Sequence, residues 1–160
     1  MYSINKILEK EPFSINQKKK NILFREYINK LTKYHFKNST LYSMILKPLG
    51  FDKKKYYEIK KIPFIPVRLF KEFDLMSVKK DKIIKILNSS GTSGSKTSKI
   101  FLDKKNSLNQ VKVLQKIMNS ILGKKRLPML IIDKNIKNIN RQNFNARIAA
   151  INGFSIFGKD

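Results

Sequence analysis

The chain has 160 residues, no cysteine, and a formal net charge of +24 from 35 basic against 11 acidic residues. That length suits one domain with a single core, and the lack of cysteine excludes disulfides and Cys-ligated zinc within this sequence. No run approaches the roughly 20 apolar residues of a membrane span and the first residues lack a secretory apolar core, so a soluble, cytoplasmic protein is expected.

In chain order, residues 1–11 predict a short helix with Ser3 as its N-cap, ended by Pro12. Ser14 is expected to cap a longer helix whose Ile15, Ile22, Leu23, Tyr27, Ile28 and Leu31 form a core-facing stripe. His35, the single histidine, falls near the end of that helix. With no other histidine or cysteine to join it, it reads as structural rather than as a ligand or base. A third helical piece runs from about Ser39 to Leu46 and stops at Pro48 and Gly50. Residues 51–61 read as a basic surface helix with Tyr56 and Tyr57 on one face.

Ile62-Pro63-Phe64-Ile65-Pro66-Val67 is neither helix nor central strand, because two prolines remove donors and fix φ. It reads as an extended connector between a helical segment, residues 1–61, and an α/β portion, residues 62–160. Phe70 and Phe73 are expected to anchor it, and residues 74–77 fit either state.

Beyond the connector, Ile83-Ile84-Lys85-Ile86-Leu87 and Ile100-Phe101-Leu102 are β-branched or apolar runs that predict strands. Asp103 or Asn106 would then cap a helix with Leu108, Val111, Leu114, Ile117, Met118, Ile121 and Leu122 at helical spacing, closed by Gly123. Residues 128–133 read as a buried strand because they are apolar without alternation, which makes strand, helix, strand a crossover unit. A short helix around Phe144 to Ile151 follows, its Ala146, Ala149 and Ala150 allowing close packing. Asp133 reads as a helix cap or exposed strand end in preference to a ligand contact, and Arg147 fits either an anion partner or a helix-surface residue. The fold class is therefore α/β, with a helical N-terminal segment followed by a βαβ-type sheet.

Between the two strands lies Asn88-Ser89-Ser90-Gly91-Thr92-Ser93-Gly94-Ser95-Lys96-Thr97-Ser98-Lys99, dense in hydroxyls, with two glycines and two lysines. Gly91 and Gly94 lack a Cβ and take positive φ readily, so successive backbone N–H groups can turn toward one anion. The simpler alternative is a flexible Gly/Ser hairpin loop. A Walker A loop is excluded: counting from Gly91 places Lys96 where the second glycine belongs, and an apolar strand rather than a helix follows.

Ser89-Ser90-Gly91-Thr92-Ser93-Gly94 resembles the Ser/Thr/Gly phosphate loop of adenylate-forming enzymes, the acyl-AMP ligase superfamily. Ser98 to Asp103, Ile62 to Pro66 with Leu69-Phe70-Lys71, and Phe144 to Arg147 with Gly153-Phe154 are similar to LuxE-type acyl-protein synthetases, with phenylacetate-CoA ligases as more distant kin. The resemblance runs from about Ile62 to Gly158 and implies the N-terminal part of that family's large domain. It implies ATP-dependent activation of a carboxylic acid, such as a long-chain fatty acid, to an acyl-adenylate. ATP with Mg2+ would be held through Ser89, Ser90, Gly91, Thr92, Ser93, Gly94, Lys96 and Lys99, and an acyl-reductase would be the partner. The family's acceptor cysteine and C-terminal region have no counterpart here, so the favoured expectation is the N-terminal part of a longer or broken gene, with a reduced protein that keeps nucleotide binding, or an inert remnant, as the alternatives. No catalytic residue or metal ligand stands out.

A second reading takes the charge at face value, as a basic α/β module for nucleic acid or an acidic partner. Only five of the 35 basic residues are arginine, the residue that reads base edges and clamps phosphate bidentately. Lysine, asparagine and isoleucine are all abundant, the mark of A/T-rich codons, so neither specific nucleic-acid binding nor a membrane is expected.

Overall fold

A computed structural model describes residues 7–89, 96–132 and 143–159. The N-terminal half is helical. Residues 7 and 8 are helical and Pro12 follows the turn, while Ser3 lies outside the described residues. Helix α1 is Gln17–Asn38, and its N-cap is Asn16, whose side chain accepts from the Lys19 N–H. Ser14 does not cap it: its hydroxyl donates to the Glu11 carbonyl, and Phe13 beside it sits at φ 63°. The turn after Pro12 thus occupies the residue expected to start the helix. The predicted stripe is only partly covered, since Leu23 is buried and Ile22 is 48% exposed.

Ser39 ends α1 and caps α2, Thr40–Leu46, by accepting from the Tyr42 N–H. The Phe51 N–H returns to the Leu46 carbonyl, and Gly50 at φ 73° makes that reversal without a Cβ penalty. This turn folds Phe51 back toward α1, where its ring lies 5.1 Å from Phe36 and stacks 5.3 Å from Tyr57. The segment expected as a surface helix forms only one 3-10 turn, Ile59–Lys61. Tertiary hydrogen bonds take its backbone instead: buried Asn29 accepts from the Tyr57 N–H and donates to the Tyr57 carbonyl, each at 2.8 Å.

Residues 62–66 are extended and unpaired in any ladder, as the prolines require. One-turn helix α3, Leu69–Glu72, then rests near the sheet. Phe70 is half-buried, but Phe73 is 42% exposed and does not anchor the connector. Residues 74–77 are neither helix nor strand, and here the chain ties back to α1: Ser77 Oγ lies 2.7 Å from His35 Nδ1.

The sheet is organised on β1, Ile83–Asn88, which pairs antiparallel with β2, Lys99–Asp103, and parallel with β4, Asn143–Asn145. Between β2 and β4 comes α4, Lys104–Leu122, capped by the Asp103 carboxylate at 2.7 Å from the Asn106 N–H and closed by Gly123 at φ 79°. Helix α5, Ala146–Ser155, follows β4 directly. A Cβ built on Gly153 would lie 3.2 Å from Leu114 Cδ2, so the small residue lets α5 approach α4 closely. The β1-to-β4 connection is therefore the crossover: two parallel strands joined through β2 and α4.

The strand predicted over 128–133 is much shorter. Only β3, Leu127–Pro128, pairs with β5, Gly158–Lys159. Leu130 and Ile132 are 85% and 91% exposed, and Asp133 lies outside the described residues. A continuous apolar run signals a need for cover on both faces, yet residues 129–132 find no ladder partner among the described residues. Several expected core positions of α4 also stay open: Leu108, Val111 and Ile121 are 51%, 44% and 67% exposed. Among the described residues the buried apolar side chains are few, Leu23, Leu46 and Phe51 in the helical half and Leu102 and Phe157 in the sheet half.

Two predictions test this packing. Asn29→Ala leaves both Tyr57 backbone groups unpaired beside a residue that is 3% exposed, and should cost about 2–4 kcal/mol of unfolding free energy in urea titrations. Burial pushes the His35 imidazole below its ordinary 6.5, so the native state keeps it neutral while the unfolded chain takes up a proton. Stability should therefore fall as pH drops through 6.5 toward the folded-state value. Thermal melts at pH 7.5 and 5.5 should show a smaller difference for His35→Gln than for wild type.

Candidate functional site

The β1–β2 hairpin carries the loop singled out in the sequence. The ladder runs from a bulge between Ile83 and Lys85 up to the Asn88–Lys99 pair. It is continued by one more rung: the Ser89 N–H donates to the Ser98 carbonyl at 3.0 Å, and the Ser98 N–H donates to Ser89 Oγ at 2.9 Å. Ser89, expected among the phosphate donors, stands at the neck of the loop, where its hydroxyl oxygen accepts this bond and keeps its own proton to donate. Ser90, Gly91, Thr92, Ser93 and Gly94 lie outside the described residues.

Lys96 and Lys99 are both on the arm that descends from the loop into β2. They face a cavity of about 540 Å3 that Lys71, Phe73 and Thr97 also line. Neither ammonium is without a partner. Lys96 Nζ lies 2.9 Å from Glu72 Oε2, and Lys99 Nζ lies 3.1 Å from Asp74 Oδ1. The Lys96 hydrogen bond, with its charge, holds the Glu72 carboxyl below the usual carboxylate range.

A larger cavity of about 740 Å3 adjoins along one face of the hairpin. Side chains alternate along paired strands, so Ile84 and Ile86 on β1 share that face with Phe101 opposite Ile86. Leu102 points the other way and is buried. The larger cavity also carries Lys80, Lys85 and Asn88, and Asp74 and Lys99 line both cavities, so their ion pair stands on the wall between them.

Strand β4 supplies a second flank. Its register sets Asn143, Phe144 and Asn145 opposite Ile86, Leu87 and Asn88. The carboxyl ends of two parallel strands, and the start of α5 just after β4, therefore meet beside the loop's neck. In open α/β sheets that is where ligands collect. Residues 144–145 were read from sequence as the start of a helix. A three-residue strand ahead of an alanine-rich helix carries no period of its own, and only its pairing with β1 defines it. Glu72 and Asp74 were not expected at the site either. They lie 24 and 25 residues before their lysines, and no local pattern links the two stretches.

Among the described residues no group of three or more His, Cys, Asp or Glu side chains could hold a metal ion, and no helix is long and apolar enough to cross a membrane. A protein-family model described as Acyl-protein synthetase, LuxE matches residues 3–159. No curated protein and no solved structure matches the chain.

The neck rung makes a direct prediction. Ser89→Ala removes the acceptor of the Ser98 N–H at an exposed position, and should lower unfolding free energy by about 1 kcal/mol in urea titrations.

Proposed function

The chain belongs to the LuxE acyl-protein synthetase family, and from that membership we propose that the 89–99 loop binds the phosphates of ATP while a carboxylic acid is activated beside it. The family implies acyl-protein synthetase-type activity and a carboxylic acid substrate. The observation that carries the assignment to this loop is the convergence of Lys71, Lys96 and Lys99 on one cavity at the hairpin's neck. Glu72 and Asp74 line the same cavity and pair with Lys96 and Lys99, so a polyphosphate would take the place of carboxylates already seated there.

In the proposed reaction a carboxylate oxygen of the acid attacks the α-phosphorus of ATP. The bond between that phosphorus and the β-bridging oxygen breaks, giving an acyl-adenylate and pyrophosphate. Negative charge moves onto the departing β,γ-phosphates as this happens. Lys96 and Lys99 are placed to receive it, and the hydroxyls and N–H groups of Ser90, Gly91, Thr92, Ser93 and Gly94 are the further donors. Mg2+ would arrive on the phosphates, its usual mode of binding in such sites. Chain residues thus act by electrostatic positioning, with no side chain assigned a proton transfer.

The larger cavity, whose apolar side is formed by Ile83, Ile84, Ile86, Met76 and Phe101 and whose polar side carries Lys80, Lys85 and Lys99, is the place we assign to the acid. Its hydrocarbon part would lie on the isoleucines, with the carboxylate toward Lys99. Because the sequence has no cysteine, no thiol of these residues accepts the acyl group, and the reaction assigned to them ends at the adenylate. An acyl-reductase that receives the acid downstream belongs to the same proposal.

Calorimetry of Mg-ATP binding at moderate salt tests the loop. Wild type should bind saturably, and a folded Gly91→Ala/Gly94→Ala variant should bind about tenfold more weakly or worse, the loss of at least one charge-assisted hydrogen bond. Equal binding by the two proteins would remove the loop from the site.

A further inference from the structure

The descending arm of the loop offers no open cation. Lys96 and Lys99, three residues apart, meet Glu72 and Asp74, two residues apart, in two parallel ion pairs of 2.9 and 3.1 Å. In a chain with 11 acidic residues against 35 basic ones, two of the scarce carboxylates converge on the two lysines best placed for phosphate. Both come from one short stretch, the end of α3 and the residues just after it. The four side chains are between 36% and 70% exposed, so solvent and ligands reach them from the cavity side.

We propose that Glu72 and Asp74 form an internal anion latch, holding Lys96 and Lys99 when no polyphosphate is bound and releasing them to a polyphosphate when one arrives. The proposal rests on the phosphate-binding reading above and adds a regulatory element to it. Carboxylate and phosphate oxygens compete for the same ammonium protons, so they cannot both hold the same lysines in full. The second carboxylate, Asp74, is joined through its own backbone to Phe73 and Glu72, so displacing one pair loosens the other. Exposed pairs of this kind are individually weak. The latch therefore tunes affinity, by about threefold to tenfold, and does not block the site.

The test compares binding of inorganic tripolyphosphate, and separately of Mg-ATP, to the 160-residue chain and two variants. Glu72→Gln/Asp74→Asn opens the latch. Glu9→Gln/Asp81→Asn makes the same change in net charge at carboxylates that do not pair with the loop's lysines. The latch predicts tripolyphosphate binding about threefold to tenfold tighter in the first variant than in the second. It also predicts that the gain disappears when Lys96→Gln/Lys99→Gln is added, and shrinks with salt. Equal affinity in the two variants, or a gain that survives loss of the lysines, would overturn it.

The two readings fail separately. Tightened tripolyphosphate binding with no Mg-ATP binding keeps the latch and sinks the nucleotide assignment. Mg-ATP binding that is equal in the two variants does the reverse. Should the latch variant fail to fold, carboxyl 13C titration of Glu72 in wild type still decides. Saturating tripolyphosphate should raise its pKa toward the ordinary carboxylate value, and an unmoved titration refutes displacement.

Discussion

Two-sided pairing of β1 is the constraint on which the sheet half depends. The strand satisfies its backbone donors and acceptors antiparallel to β2 on one edge and parallel to β4 on the other. Each partner brings something different to the strand's carboxyl end. The β2 side closes the hairpin at Ser89 and Ser98 and carries Lys96 and Lys99 on the same arm. The β4 side brings the start of α5 alongside. A central strand of this kind leaves its own end as the natural meeting point of loop, helix and cavity.

Charge scarcity shapes the site as much as geometry does. With basic residues in threefold excess, most lysines have no carboxylate to meet. A close ion pair between distant stretches is then informative about tertiary placement. Arg25 with Glu58 fastens the 3-10 turn to α1, while Lys96 with Glu72 and Lys99 with Asp74 fasten the hairpin's neck to α3. The surplus positive charge by itself favours no particular anion. Three lysines and two carboxylates line the cavity at the hairpin's neck.

Helix ends were largely legible. Of the two cap candidates Asp103 and Asn106, Asp103 caps its helix, Ser39, read as the first helical residue, is the cap itself, and Gly50 and Gly123 take the positive φ at which a chain reversal favours glycine. These rules are local and involve side chains within three or four residues. They failed at Ser14, where two oxygen-bearing residues stood close together and the turn after Pro12 passed the role to Asn16. Residues 51–61 failed for another reason. Their helical pattern was real, but Asn29 captured the Tyr57 backbone from 28 residues away, and a tertiary bond outweighed a weak propensity. The hairpin's two strands were legible from their apolar runs, while the carboxylate partners of Lys96 and Lys99 were not.

The sequence by itself determined the long helices over 17–38 and 104–122, the extended connector, and the two strands of the hairpin, because period, proline and glycine act over a few residues. Tertiary structure alone decided that β4 lies parallel to β1, that residues 129–132 stay outside the ladder, and that Glu72 and Asp74 occupy the loop's lysines. Pairing between strands and between charges is chosen from the whole chain. A backbone edge or an ammonium group accepts any partner the fold brings within reach, and nothing in its own neighbourhood records which one that is.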